Sequence, residues 1–162
     1  MFIPIFASTL QTKKLDLIRP ISEQEAHDVE TRIQERLSAL VGRNLKINNI
    51  FLQSSSSFAT RSQIVHELYL VYVATKPFFK LEPRTQYCDP KVIRLPLSTK
   101  SEAVKLIQWG FLPPTSNLLV GPMNYVSINQ MGFILGYYMS RMAQCTHLPE
   151  IKWSPKIENQ ES

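Results

Sequence analysis

Three arrangements in this sequence combine residue types that can support catalysis. Cys145 and His147 lie two residues apart, and a thiolate beside an imidazolium is an activated nucleophile. His66 precedes Glu67 in a segment of strand-like composition, but adjacent side chains of a strand point to opposite faces. His27 has glutamates four residues before it and three residues after it, yet this pairing is not repeated as a di-metal carboxylate site requires. Each arrangement is more typical of packing or surface electrostatics than of an active site.

Signature motifs with a catalytic mechanism are absent from the sequence. It contains no phosphate-binding loop, dinucleotide-binding fingerprint, nucleophile elbow or zinc-protease motif. Cys88 and Cys145 fit no metal-ligand spacing. Gly132 and Gly136 lie inside a predicted helix, where their amides are not available to a phosphate. We therefore predict no catalytic residue, no metal and no cofactor, and the sequence favours a non-enzymatic protein.

The positive charge of the chain is concentrated in its middle. The net charge is +5, and residues 43–105 contain ten basic and four acidic residues, whereas the two flanking regions are nearly neutral. A local positive field attracts polyanions, and aromatic residues among the cations provide stacking surfaces. Binding of single-stranded nucleic acid or of a phosphate backbone is therefore the alternative function. The candidate binding residues are Arg61, Lys76, Phe78, Phe79, Lys80, Arg84, Tyr87, Lys91 and Arg94.

A small enzyme that acts on an anionic substrate is the third hypothesis. In that case Arg84, Arg94 and His66 would line the substrate cleft. The three-dimensional arrangement of the basic residues separates the hypotheses. Convergence on an open face would favour nucleic acid, a concave pocket would favour the enzyme, and scatter would favour a protein-binding role.

The first hypothesis is an accessory protein that contacts a protein partner in a larger assembly. The start of the chain is unusually apolar for a free terminus, and its predicted partner interface consists of Phe2, Ile3, Ile5 and Phe6. Residues 124–145 add methionines and tyrosines, which suit contact surfaces. Small residues that would let another backbone approach recur there at Gly132, Gly136 and Ser140. A homo-oligomer is left open.

Length and composition indicate one globular domain. The chain has 162 residues, of which 44% are hydrophobic, which is enough for a core. We expect the domain to cover residues 1–150, followed by a polar tail at 151–162. No secretory signal or membrane-spanning stretch is predicted, because the apolar segments are short or interrupted by polar residues. The expected location is the cytoplasm.

Two kinds of signal predict the helices. Ser22 and Glu25 form a capping box before an apolar stripe, and Gly42 follows that stripe, so a helix is predicted over 22–41. Thr99 and Glu102 predict a shorter helix over 100–110, which Gly110 would close. A third helix over 124–145 is apolar nearly all round, which predicts a core position.

The remaining segments are interpreted as strands. Residues 63–75 are rich in Val, Tyr, Leu and Ile, which favours a central strand covered on both faces. Residues 45–53 and 91–97 are predicted strands, and residues 116–120 a short extended piece. Weaker strand patterns occur at 2–6 and 14–18.

The predicted fold is therefore α+β. An antiparallel sheet of about four strands packs against the helices at 22–41 and 124–145, with the 100–110 helix at its end. The predicted core residues are Val29, Ile33, Leu37, Leu68, Leu70, Val71, Val73, Ile107, Phe133, Ile134 and Tyr137.

Overall fold

Helices form the regular structure of this protein wherever the chain is described. The computed structural model describes residues 17–80, 86–121 and 123–146. The helices are α1 (Glu23–Val41), α2 (Arg61–Thr75), α3 (Leu97–Gln108), α4 (Asn117–Val120) and α5 (Ile128–Thr146), with 3₁₀ turns at Lys76–Phe78 and Pro90–Val92. The described ranges contain no β-strand. The predicted α+β class and its four-stranded sheet are therefore wrong.

The first long helix, α1, confirms the helix predicted over 22–41. The Ser22 hydroxyl accepts a hydrogen bond from the Glu25 backbone N–H, and the Glu25 carboxylate accepts one from the Ser22 backbone N–H. Arg19 also donates to this carboxylate and lowers the pKa of Glu25 to about 2. Gly42 ends the helix with a φ of 75°, a left-handed conformation that glycine adopts without strain.

The starts of α1, α2 and α5 meet at one junction. The Ile21 N–H donates to the Val126 carbonyl, the Ala59 N–H to the Ile21 carbonyl and the Arg61 N–H to the Asn124 carbonyl. Each of the three helices begins with a reciprocal capping pair: Ser22–Glu25, Thr60–Gln63 and Ser127–Gln130. Short backbone contacts between the segments that precede the helices therefore align all three N-termini.

The segment interpreted as the central strand, 63–75, is the central helix α2. It packs against α1, α3 and α4, and the Tyr138 hydroxyl of α5 donates to its Leu68 carbonyl at 2.7 Å. Because neighbours cover α2 on several sides, its apolar residues lie all around the axis and leave no amphipathic stripe. The prediction of a central strand covered on both faces is wrong, because a buried helix and a buried strand share the same continuous apolar pattern.

The segment 45–53 has no regular secondary structure, alternates in burial over its first four residues and pairs with no strand in the described ranges. Leu45 and Ile47 point into the core. Helix side chains bind backbone N–H groups of this segment: Ser38 binds that of Leu45 at 3.0 Å and Gln34 that of Ile47 at 3.2 Å. The strand prediction failed because these side chains satisfy the backbone in place of a β-ladder.

The other predicted strands also fail. Residues 91–97 comprise the end of a 3₁₀ turn, an irregular piece and the first residue of α3, and 116–120 contains α4. Helix α3 starts at Leu97, before the predicted cap, and the Thr99 hydroxyl binds the Pro96 carbonyl within the first turn. Gly110, with a φ of 84°, follows the helix end as predicted. The pattern at 2–6, most of that at 14–18 and the tail at 151–162 lie outside the described residues.

The core forms one cluster between the helices. Of the predicted core residues, Ile33, Leu37, Leu68, Val71, Ile107 and Ile134 are buried. Val29 and Leu70 are half-buried at its edge. Val73, Phe133 and Tyr137 are exposed, so their assignment to the core is wrong. The burial of Val73 was predicted for a strand, whereas the segment is a helix. Phe133 and Tyr137 are exposed because the described residues cover only one side of α5.

Candidate functional site

Two glutamates face each other in the core, between α1 and α2. Glu30 is 3% exposed and Glu67 is 2% exposed. One oxygen of Glu67 accepts a hydrogen bond from the Ile50 N–H at 2.9 Å. Oε1 of Glu30 and Oε2 of Glu67 are buried and receive no hydrogen from any other described group. The two carboxyls lie within hydrogen-bonding reach of each other, so a proton on Glu30 can be donated to Glu67.

The electrostatics of this carboxyl pair agree with a retained proton. Burial, followed by the negative charge of Glu67, raises the pKa of Glu30 to about 9. Burial also raises the pKa of Glu67, against the Ile50 hydrogen bond, which lowers it. Since neither carboxyl is open to solvent, the pair ties α1 to α2 and is out of reach of a substrate. The sequence analysis missed this pair because its members are far apart in sequence.

The best-buried of the predicted binding residues is Arg61. Its Nη1 donates to the Leu118 carbonyl at 2.9 Å and its Nη2 to the Arg94 carbonyl at 3.0 Å. Burial lowers the pKa of its guanidinium. Arg61 thus fastens the segments around residues 94 and 118 to the start of α2, and its charge does not reach the surface.

Four of the predicted binding residues lie together beyond the end of α2. Phe78, Phe79 and Lys80 line a cavity of about 280 Å³ together with Arg43, and Lys76 precedes them. The Arg43 guanidinium lies 5.6 Å from the centre of the Phe78 ring. Phe79 turns inward and packs against Tyr72 and Phe111. We call Arg43, Lys76, Phe78 and Lys80 the basic corner.

The remaining predicted binding residues are dispersed. Tyr87, Lys91 and the Arg94 side chain are exposed at separate points of the chain between α2 and α3. Arg84 lies outside the described residues, as does the predicted partner interface at Phe2, Ile3, Ile5 and Phe6. The described basic residues of 43–105 are thus divided between an internal role, the basic corner and scattered surface positions.

The described residues of the three histidine and cysteine arrangements make contacts within the fold. Nδ1 of His66 lies 2.9 Å from the Glu102 carboxylate, which joins α2 to α3. The backbone carbonyl of His27 accepts a hydrogen bond from the Asn49 side chain at 3.0 Å. Cys145 is buried in the core, and His147 lies outside the described residues. Among the residues that the structure describes, no three His, Cys, Asp or Glu side chains group as metal ligands would.

An apolar groove follows the outer face of α3. It has a volume of about 500 Å³ and is lined by Pro90, Leu97, Lys100, Ser101, Val104, Lys105 and Gln108. Leu97 is 86% exposed, and an aliphatic side chain exposed in an apolar groove gains free energy when a partner covers it. The lining includes two lysines and no carboxylate. We call this feature the α3 groove.

Comparisons of the chain with protein-family models, with curated proteins and with solved structures find no match. Within the described ranges, none of the helices has the combination of length and apolar character needed to cross a membrane. Function is therefore inferred from the surface of this chain itself.

Proposed function

We propose that this protein is a non-enzymatic accessory protein that binds a partner protein through the α3 groove. The observation that carries the proposal is the exposed side chain of Leu97 at the start of α3, beside Pro90 and Val104. An aliphatic side chain in an apolar groove is the kind of anchor site that binds the apolar face of a partner helix or an extended peptide.

The charge around the groove indicates the chemistry of the partner. Lys100 and Lys105 lie at its border, and their aliphatic stems extend the apolar surface while their ammonium groups remain in water. A partner segment with leucine-like residues on one face and carboxylates beside them matches both features. The partner is thus an acidic amphipathic segment.

A designed peptide tests this directly. The probe is a fluorescent helix with leucines at steps of three and four and glutamates beside them, and its control has lysines in place of the glutamates. Fluorescence anisotropy should show that the full-length protein binds the acidic peptide at least about 10-fold more tightly than the basic one. That preference should shrink as salt rises, because exposed charges are screened.

Matched variants locate the binding surface. Leu97→Asp and the double variant Lys100→Glu, Lys105→Glu should each weaken binding of the acidic peptide by about 10-fold or more. Phe133→Ser, which also removes an exposed large side chain but on α5, should leave it unchanged. Equal binding of both peptides, or equal loss with Phe133→Ser, would refute the proposal.

A second candidate function is binding of single-stranded nucleic acid at the basic corner. The observation in its favour is the placement of Arg43 over the Phe78 ring, with Lys76 and Lys80 nearby in the chain. Affinity for a labelled oligonucleotide should fall steeply with salt and should drop with Arg43→Gln. A response that is flat with salt would exclude this candidate.

A further inference from the structure

The outer face of α5 has no partner among the described residues. Phe133 is 75% exposed there. A Cβ added at Gly132 or Gly136 would meet no atom of the described residues within 4 Å. At 100° per residue, this face consists of Asn129, Gly132, Phe133, Gly136, Ser140 and Gln144, all of them exposed. None of these side chains carries a charge, although the protein as a whole is basic.

A cavity lies on the same helix, C-terminal to Phe133. It has a volume of about 430 Å³, and its lining residues are Gln86, Gly110, Gly136, Tyr137, Ser140, Arg141 and Gln144. The protruding ring and the cavity are thus separated by one to two helical turns on one continuous face. A second copy of α5 that runs antiparallel would place each ring against the cavity of the other copy.

We propose that the protein forms a twofold-symmetric dimer through this face, with the axis between Gly136 and Tyr137. Around such an axis, each residue of one copy lies opposite the residue of the other copy for which the two residue numbers add up to 273. Phe133 of each copy then lies against Ser140 of the other, at the cavity. Asn129 lies opposite Gln144, whose Oε1 accepts from Arg141 within α5, so that the Gln144 amide N–H can donate to the Asn129 carbonyl oxygen. Both pairs form twice, as an isologous interface requires.

The small residues and the charges suit this arrangement. Gly136 lies at the crossing point, where the absence of a side chain lets the two helices approach closely. The two copies of Arg141 would lie about 13 Å apart along the helix, at 1.5 Å per residue, which is beyond the screening length of about 8 Å at physiological salt. A second copy therefore meets no like-charge repulsion on this face. In a dimer formed through two α3 grooves, the lysines of one copy would face the lysines of the other.

Cysteine cross-linking of the full-length chain tests the position of the axis. In a Gly136→Cys variant the two new thiols lie near the axis, within the Cα separation of about 7 Å that a disulfide tolerates. In the matched control Gly132→Cys they lie about 13 Å apart along the helix. Mild oxidation should give a covalent dimer with Gly136→Cys and little with Gly132→Cys. Equal cross-linking of both variants, or none with Gly136→Cys, would overturn the proposal.

Sedimentation equilibrium of the unmodified protein tests the association itself, at concentrations up to about 1 mM because a single helix pair gives a weak interface. Phe133→Asp should raise the dimer dissociation constant by about 10-fold or more, and Leu97→Asp should leave it unchanged. Circular dichroism checks that both variants remain folded. A monomeric wild-type protein, or loss of dimer with Leu97→Asp, would contradict the proposal and leave the α3 groove unaffected.

Discussion

Replacement of Glu30 by glutamine should remove a strong pH dependence from the stability of this protein. Burial next to Glu67 raises the pKa of Glu30 to about 9, which favours a protonated Glu30 that can donate to the Glu67 carboxylate at neutral pH. A glutamine side chain has nearly the same shape, and its amide donates to the same carboxylate at every pH. Glu30→Gln therefore keeps the hydrogen bond and removes the need to take up a proton on folding.

The sign and size follow from the two pKa values of Glu30. In the folded protein the pKa of Glu30 is about 9, whereas the ordinary glutamate value, which applies to the unfolded chain, is 4.5. Between these values the folded state holds a proton that the unfolded state has released, so the stability from this group falls as pH rises. The fall is at most about 1.4 kcal/mol per pH unit, or roughly 3 kcal/mol between pH 4.5 and pH 7. The contribution of Glu30 to the free energy of unfolding is fully present below pH 4.5 and lost by about pH 9.

Urea unfolding at a series of pH values between 5 and 8, followed by circular dichroism, measures this effect. The stability of the wild type relative to Glu30→Gln should decrease steadily over that range. Groups that do not interact with Glu30 are common to both proteins and cancel in the difference. Glu35→Gln, on the exposed side of the same helix, should run parallel to the wild type. A Glu30→Gln curve parallel to the wild type would refute the retained proton.

Two further substitutions test contacts that hold the helices together. Arg61→Met should lower the free energy of unfolding by about 3 kcal/mol, because two carbonyls lose a charged donor, whereas Arg94→Met, at an exposed side chain, should cost little. Comparable losses in the two variants, measured by urea denaturation, would argue against the internal role of Arg61. Tyr138→Phe should cost about 1 kcal/mol through loss of the 2.7 Å hydrogen bond to Leu68, and an unchanged denaturation midpoint would contradict that contact.

Helix boundaries were predictable where the signal was local. The Ser22–Glu25 capping box and Gly42 define α1 within a few residues of its ends, and the prediction succeeded. The same reciprocal pattern occurs at Thr60–Gln63, where glutamine replaces glutamate, and it caps the start of α2. This local signal favours a helix over a strand for residues 63–75.

Strand predictions failed because burial patterns do not identify the hydrogen-bond partner. The first four residues of the segment 45–53 alternate in burial as a strand would, but side chains such as Ser38 and Gln34 bind their N–H groups. The continuous apolar run in α2 reflects coverage by several helices. In both segments the sequence indicates which residues are apolar and tend to be buried. It does not indicate which groups form hydrogen bonds with the backbone, because this depends on the tertiary context.

The candidate sites, like the secondary structure, were only partly predictable from the sequence. The charge surplus of residues 43–105 was visible in the sequence, but the structure places Arg61 inside and distributes the others over separate surfaces. Glu30 lies on the apolar stripe of α1, one turn from Ala26 and one turn from Ile33, so a helix over 22–41 already directs it toward the core. Glu67 meets it only because α1 packs against α2. The α3 groove and the outer face of α5 likewise exist because other helices cover the opposite sides of these two.

The sequence by itself determined the capping of α1 and the turn at Gly42, because these depend on neighbours within a few positions. Tertiary structure alone decided which ionisable groups are buried, which apolar side chains remain exposed and which arginine acts internally. The physical reason is that desolvation depends on what covers a side chain. That cover comes from helices distant in the chain.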